Sequence, residues 1–74
     1  MNTFHGSKIN NRFLDFLLSS HGLRNDAALS RFLEVSPTVI SKLRRGNYAF
    51  SPALIIRVHE KTEMPISAIK DALA

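Results

Sequence analysis

Asp26-Ala27-Ala28-Leu29-Ser30-Arg31-Phe32-Leu33-Glu34-Val35-Ser36-Pro37-Thr38-Val39-Ile40-Ser41-Lys42-Leu43-Arg44-Arg45-Gly46 is the stretch on which the fold turns. Apolar residues recur at Leu29, Phe32 and Leu33, lapse, and return at Ile40 and Leu43, the spacing of two short helices. Asn25 stands as N-cap of the first helix. Ser36-Pro37 opens the second with a hydroxyl cap and a proline at the first helical position, where its missing N–H costs nothing. Gly46 supplies the stop. For such short helices to pack, Leu29, Leu33, Val35, Ile40 and Leu43 must meet over one small core, and Ser30 keeps a small side chain near the crossing. The layout predicts a helix-turn-helix over residues 26–45, with residues 37–45 as its second helix.

With Ile40 and Leu43 turned inward, the opposite face of the second helix carries Thr38, Ser41, Lys42 and Arg45, with Pro37 and Val39 at its leading edge. Short hydroxyls and long cations without an acid suit a groove lined by base-edge acceptors and flanked by phosphates. Lys42, Arg44 and Arg45 together add Coulomb attraction to a phosphate backbone. A solvated helix end, where cations favour the macrodipole, is the plainer reading of that run. Its place inside a helix-turn-helix favours DNA.

On the N-terminal side, Ile9, Phe13, Phe16, Leu17 and Ser20, widened by Leu14 and Leu18, form the broad inward stripe of a first helix, with Ser7 as N-cap and Gly22 as stop. Phe13, Phe16 and Phe32 are expected in the core, and residues 1–6 as a short frayed lead. On the C-terminal side, Ser51-Pro52 repeats the helix-start signature ahead of Leu54, Ile55 and Val58. Met64-Pro65 breaks the chain before a fifth helix with Ile66, Ile69, Ala72 and Leu73. No strand pattern, repeat or linker interrupts this, so the fold class expected is all-α, five short helices in one domain over residues 1–74. Phe50 is expected to pack. Tyr48 has three roles open to it: pinning the loop, touching a phosphate, or meeting a partner subunit.

The whole-chain properties agree. At 74 residues there is room for one domain, and a chain of that size buries only about 60% of its unfolded surface. A composition 45% hydrophobic and 22% charged is that of a globular domain. Ten Lys and Arg against six Asp and Glu leave a formal charge of +4, which favours an anionic partner. Cysteine is absent, and the start lacks a signal-peptide pattern. No run approaches a membrane span, so the expected location is cytoplasmic, with no membrane partner. His5, His21 and His59 have no metal-ligand spacing and are expected to face solvent. Asp15, Asp26 and Asp71 form no paired-carboxylate arrangement, and no nucleophile elbow or phosphate loop occurs. Neither an enzyme, a metal, a cofactor nor a small-molecule effector is implied.

From about Phe13 to Leu73 the sequence resembles the Cro/C1-type, xenobiotic-response-element-like helix-turn-helix family of phage repressors and bacterial regulators, most closely over Asp26 to Gly46 and again at Thr62-Glu63-Met64-Pro65-Ile66. The resemblance implies a lambda-repressor-like DNA-binding domain in which Pro37, Thr38 and Lys42, with Ser41 and Arg45 close by, read bases. It implies phosphate contacts from Asn25, Asn47, Tyr48 and the amides near Ser51, to which Ser36 and Arg44 are added as further phosphate candidates. Two departures stand out. Proline replaces the glutamine common at position 37, which removes the usual bidentate adenine contact. Glu34 replaces a left-handed glycine of the turn, and Glu63 repeats the substitution, so Glu34→Gly is expected to stabilise the domain.

The function expected is a sequence-specific regulator of transcription, a repressor that occupies a double-stranded operator as a homodimer, with Met64, Ile66, Ile69 and Leu73 as the dimer contact. Those residues could equally complete the monomer's core. The alternatives are a protein-interaction module, antitoxin-like, on the same fold, or a nucleic-acid binder without sequence preference.

Overall fold

The computed structural model describes residues 3–74, with side chains from Ser7 onward. It is all-helical, with no strand among the described residues: α1 (Thr3–Ser20), α2 (Asp26–Leu33), α3 (Pro37–Arg45), α4 (Pro52–Thr62) and α5 (Ile66–Ala72). No helix among the described residues is long and apolar enough to cross a membrane.

The first three helices stop in the same way. Gly22, Glu34 and Gly46 take left-handed backbone at φ 63, 60 and 79°. The amide one residue later then donates back to a carbonyl in the last turn, Leu23 to Leu18 at 2.9 Å, Val35 to Ser30 at 3.0 Å and Asn47 to Lys42 at 3.0 Å. This closure satisfies carbonyls that the helix itself leaves open, and it turns Leu23 and Val35 back onto the core. Glu63 stops α4 at φ 63°, with a single bond from its amide to the His59 carbonyl.

Helix starts divide between those with a side-chain cap and those without. Asn25 Oδ1 accepts from the Ala28 amide at 2.9 Å and Ser51 Oγ from the Leu54 amide at 3.2 Å. Ser36 occupies the N-cap position of α3 but its hydroxyl makes no capping bond, so Pro37 alone carries that start. Ser7 is not a cap. The backbone is already helical from Thr3, and the Ser7 hydroxyl donates to the Arg44 carbonyl at 3.0 Å. Of the expected frayed lead, Met1 and Asn2 lie outside the described residues, as does the His5 side chain.

One core forms from Phe13, Leu14 and Leu17 of α1, Leu29 and Leu33 of α2, Ile40 and Leu43 of α3, Val58 of α4 and Ile69 of α5. Each full burial of such a side chain contributes about 1.5–3 kcal/mol. Phe32 and Phe50 lean on this core, Phe50 edge-on to Phe13 at 5.5 Å. Phe16 does not join it. Phe16 is 50% exposed, because at 100° per residue it falls outside the arc that Phe13, Leu14 and Leu17 turn inward.

Ile69, expected at a dimer contact, is completely buried within the monomer, and Met64 and Leu73 pack against the same core. Ile66 alone of those four is exposed. Two histidines are also more engaged than expected. His21 lies against the Phe32 ring at 4.8 Å, and His59 Nδ1 is 2.6 Å from the Met64 carbonyl oxygen, which makes that nitrogen the donor.

Candidate nucleic-acid interface

The outer face of α3 is assembled by helical geometry and by what α1 and α2 do to its ends. Thr38, Ser41, Lys42 and Arg45 fall within an arc of about 100°. Ile40 and Leu43 occupy the opposite side and are buried. Pro37, Thr38, Ser41 and Arg45 are exposed, and Lys42 is half-buried. The Lys42 ammonium sits over the Tyr48 ring, 5.1 Å from its centroid, an attraction that holds the chain against the loop after α3.

That loop is fixed from behind by Asn10, which is 4% exposed. Its amide nitrogen donates to the Leu43 carbonyl at 3.0 Å and to the Tyr48 carbonyl at 2.8 Å. Asn11 and Ser7 both donate to the Arg44 carbonyl, at 2.9 and 3.0 Å. Three polar side chains of α1 therefore bond the carbonyls of Leu43 and Arg44 at the end of α3 and of Tyr48 in the loop beyond it, the Leu43 carbonyl also accepting from the Gly46 amide at 3.2 Å. Asn47 and Tyr48 project from this pinned loop, both exposed.

Arg44 does not belong to the outer face. Its Nε and a terminal nitrogen grip both carboxylate oxygens of Asp26 at 3.0 and 2.8 Å. Its other terminal nitrogen donates to Asp15 at 2.8 Å and to the Asn11 side-chain oxygen at 2.9 Å. The Asp26 carboxylate holds the guanidinium pKa above its ordinary value, partial burial works against that, and Asp15 adds to it. With its donors committed and its side chain 22% exposed, Arg44 ties α1, α2 and α3 together and is not a free phosphate contact. Helical position sets the flank, and the packing of α1 and α2 supplies the partners. Arg44 lies about 120° round α3 from Thr38, on the flank turned to α1 and α2.

The same network engages the nearby carboxylates. Asp15 and Asp26 are both paired with Arg44. Glu34, in the turn before α3, is paired with Lys61 at 2.6 Å. The hydrogen bond and charge of Lys61 hold the Glu34 carboxyl below its ordinary pKa. Arg57 clamps the same turn by donating to the Leu33 and Glu34 carbonyls at 3.1 and 2.9 Å. Lys42 and Arg45 have no acidic partner among the described residues.

Asn25 spends its side-chain oxygen on the cap of α2, which leaves its amide nitrogen exposed beside Arg24. Among the residues that set the site, sequence reasoning missed Asn10, Asp26 and Arg57. Its place at 100° per residue between Phe13 and Leu14, inside the inward arc, was a visible signal for Asn10. Nothing local marks Asp26 as the partner of Arg44. Among the described residues no group of three or more His, Cys, Asp or Glu gathers as a metal site. No family model, no curated protein and no solved structure matches this chain, so the acid-free outer face of α3 is itself the ground on which its function is read.

Proposed function

We propose that this chain is a sequence-specific double-stranded DNA-binding regulator, a lambda-repressor-like helix-turn-helix of the Cro/C1 kind, that represses by occupying an operator in the cytoplasm. The observation that carries the reading is the exposed face of α3, where Thr38, Ser41, Lys42 and Arg45 lie together while nearby Asp15 and Asp26 share Arg44 and Glu34 pairs with Lys61. In this reading α2, the Glu34–Ser36 turn and α3 form the DNA-reading motif, and α3 enters the major groove.

Thr38 and Ser41 bond to base edges, Pro37 packs on a thymine methyl, and Lys42 and Arg45 reach guanine acceptors or the flanking phosphates. The exposed amides of Asn25 and Asn47, the Tyr48 hydroxyl and the uncommitted Ser36 hydroxyl hold phosphates. Arg24, beside Asn25, takes the place first assigned to Arg44. A single module buries modest surface on DNA, so two copies on half-sites about one helical turn apart supply the affinity.

Selection from a random DNA library followed by anisotropy titration tests this. The selected site is expected to bind at least about 10³-fold tighter than random DNA at physiological salt. Lys42→Ala should cost about 1–3 kcal/mol and relax one position of the site, and Arg45→Ala should lower the salt slope by about 1 if that side chain lies on phosphate. Arg45→Ala should melt like the parent, and Lys42→Ala should lose no more stability than the roughly 0.5–1 kcal/mol of its contact with the Tyr48 ring. Arg44→Ala should instead lower Tm, and lose binding only as far as it unfolds. A library that yields no enriched sequence, or Lys42 and Arg45 variants that bind as the parent does, would overturn the assignment.

A further inference from the structure

Phe16 stacks on Phe13 with ring centroids 6.3 Å apart, yet half its surface is open. The two rings floor a groove of about 430 Å³ between α1, the link after α4, and α5, with Arg12, Met64, Asp71 and Ala72 on its walls. Arg12 and Asp71 have no ionic partner among the described residues, although they lie on the same groove. Phe16 is about 140° round α1 from Asn11, the residue that holds Arg44, so the groove opens away from α3.

We propose that this groove is an interface with a second copy of this chain, related by a two-fold axis, with the two Phe16 rings at its centre and Arg12 of each copy facing Asp71 of the other. A rim of one sign would select an oppositely charged partner. An apolar centre with a cation on one side and an anion on the other is complementary to itself after a half-turn. The inference rests on the DNA-binding reading for the use of the dimer, which is to bring two α3 faces to two half-sites. It moves the contact from the sequence-expected Met64, Ile66, Ile69 and Leu73 to a surface that shares only Met64 with them.

Sedimentation equilibrium without DNA is the test, and the parent is expected at twice its 8.3 kDa, at a protein concentration of about 100 μM. Phe16→Glu should weaken self-association by about 100-fold, with its melting curve matching the parent's at a protein concentration low enough that both are monomers. Arg12→Asp and Asp71→Arg should each weaken it by about tenfold, through like charges brought face to face. An equimolar mixture of those two variants should regain the parental affinity, because both cross-pairs re-form in the heterodimer. A parent that stays monomeric, a Phe16→Glu protein that associates as the parent does, or a mixture no tighter than either variant alone would overturn the interface. The DNA-binding reading fails separately, in the absence of a selected sequence. A monomeric parent that still prefers one half-site removes the dimer alone.

Discussion

Asn10 does more for the candidate site than any residue on its surface. Its one amide group bonds the Leu43 carbonyl, which the Gly46 amide also reaches, and the Tyr48 carbonyl, and through them it sets the end of α3 and the loop that carries Tyr48. Removing the donor strips the Tyr48 carbonyl of its bond and the Leu43 carbonyl of one of its two, and empties a buried polar position. Asn10→Ala should therefore lose about 2 kcal/mol, a fall in Tm of roughly 10 °C for a chain of this size. Asn10→Asp should be worse near neutral pH, since carboxylate oxygens would then face carbonyl oxygens, and should recover as pH falls and the acid becomes a donor. Thermal melts of the two variants across pH 4 to 7 would check both the size and this reversal of the usual acid trend. An unchanged melt for Asn10→Ala would mean that water replaces the amide.

At the scale of single elements, the informative positions are the helix ends. Glu34 and Glu63 both hold left-handed backbone, where a side chain other than glycine's carries strain. At Glu63 no ion pair among the described residues offsets it, so Glu63→Gly should stabilise by about 0.5–1 kcal/mol, the strain relieved less the greater freedom glycine has when unfolded. Glu34→Gly should gain less or nothing, because it also breaks the pair with Lys61 that links the turn to α4. Urea denaturation of the two variants side by side reads the difference. If Glu34→Gly gains more than Glu63→Gly, the Lys61 pair contributes nothing. The expectation formed from the sequence saw the strain at Glu34 but not the compensating partner, since Lys61 lies in another helix and no local pattern joins them.

Across the whole molecule, one consequence of these pairings is a dependence on acid. Lys61 lowers the Glu34 pKa, so the folded state binds a proton there less readily than the unfolded chain does. Stability from that pair is present above the ordinary carboxyl pKa, near 4.5, and is lost as pH falls through the lowered value. The raised pKa of Arg44 has the opposite sign, its contribution being lost only at extreme alkaline pH. Lys61→Met should thus melt below the parent at neutral pH by a small margin, since Glu34 is exposed and solvent screens the pair. That gap should close below pH 4.5 as Glu34 becomes protonated. A gap that stays constant through the acid range would dissociate Lys61 from the titration of Glu34.

Much of the architecture was readable along the chain because it depends on short-range rules. The inward spacing at Leu29, Leu33, Ile40 and Leu43, the left-handed glycines at Gly22 and Gly46, and the proline starts at Pro37 and Pro52 are set by neighbours within a turn or two. The acid-free outer arc of α3 follows from the same periodicity. Tertiary structure alone decided which polar groups would be consumed internally. Arg44 looked like one more cation beside Lys42 and Arg45 until α1 and α2 placed Asn11, Asp15 and Asp26 around it. Packing likewise put Ile69 in the core and left Phe16 at the surface. A helix dictates its own faces through local geometry, but which face meets a neighbour, and which charge finds a partner there, depends on residues far away in sequence that only the packed chain brings within bonding distance.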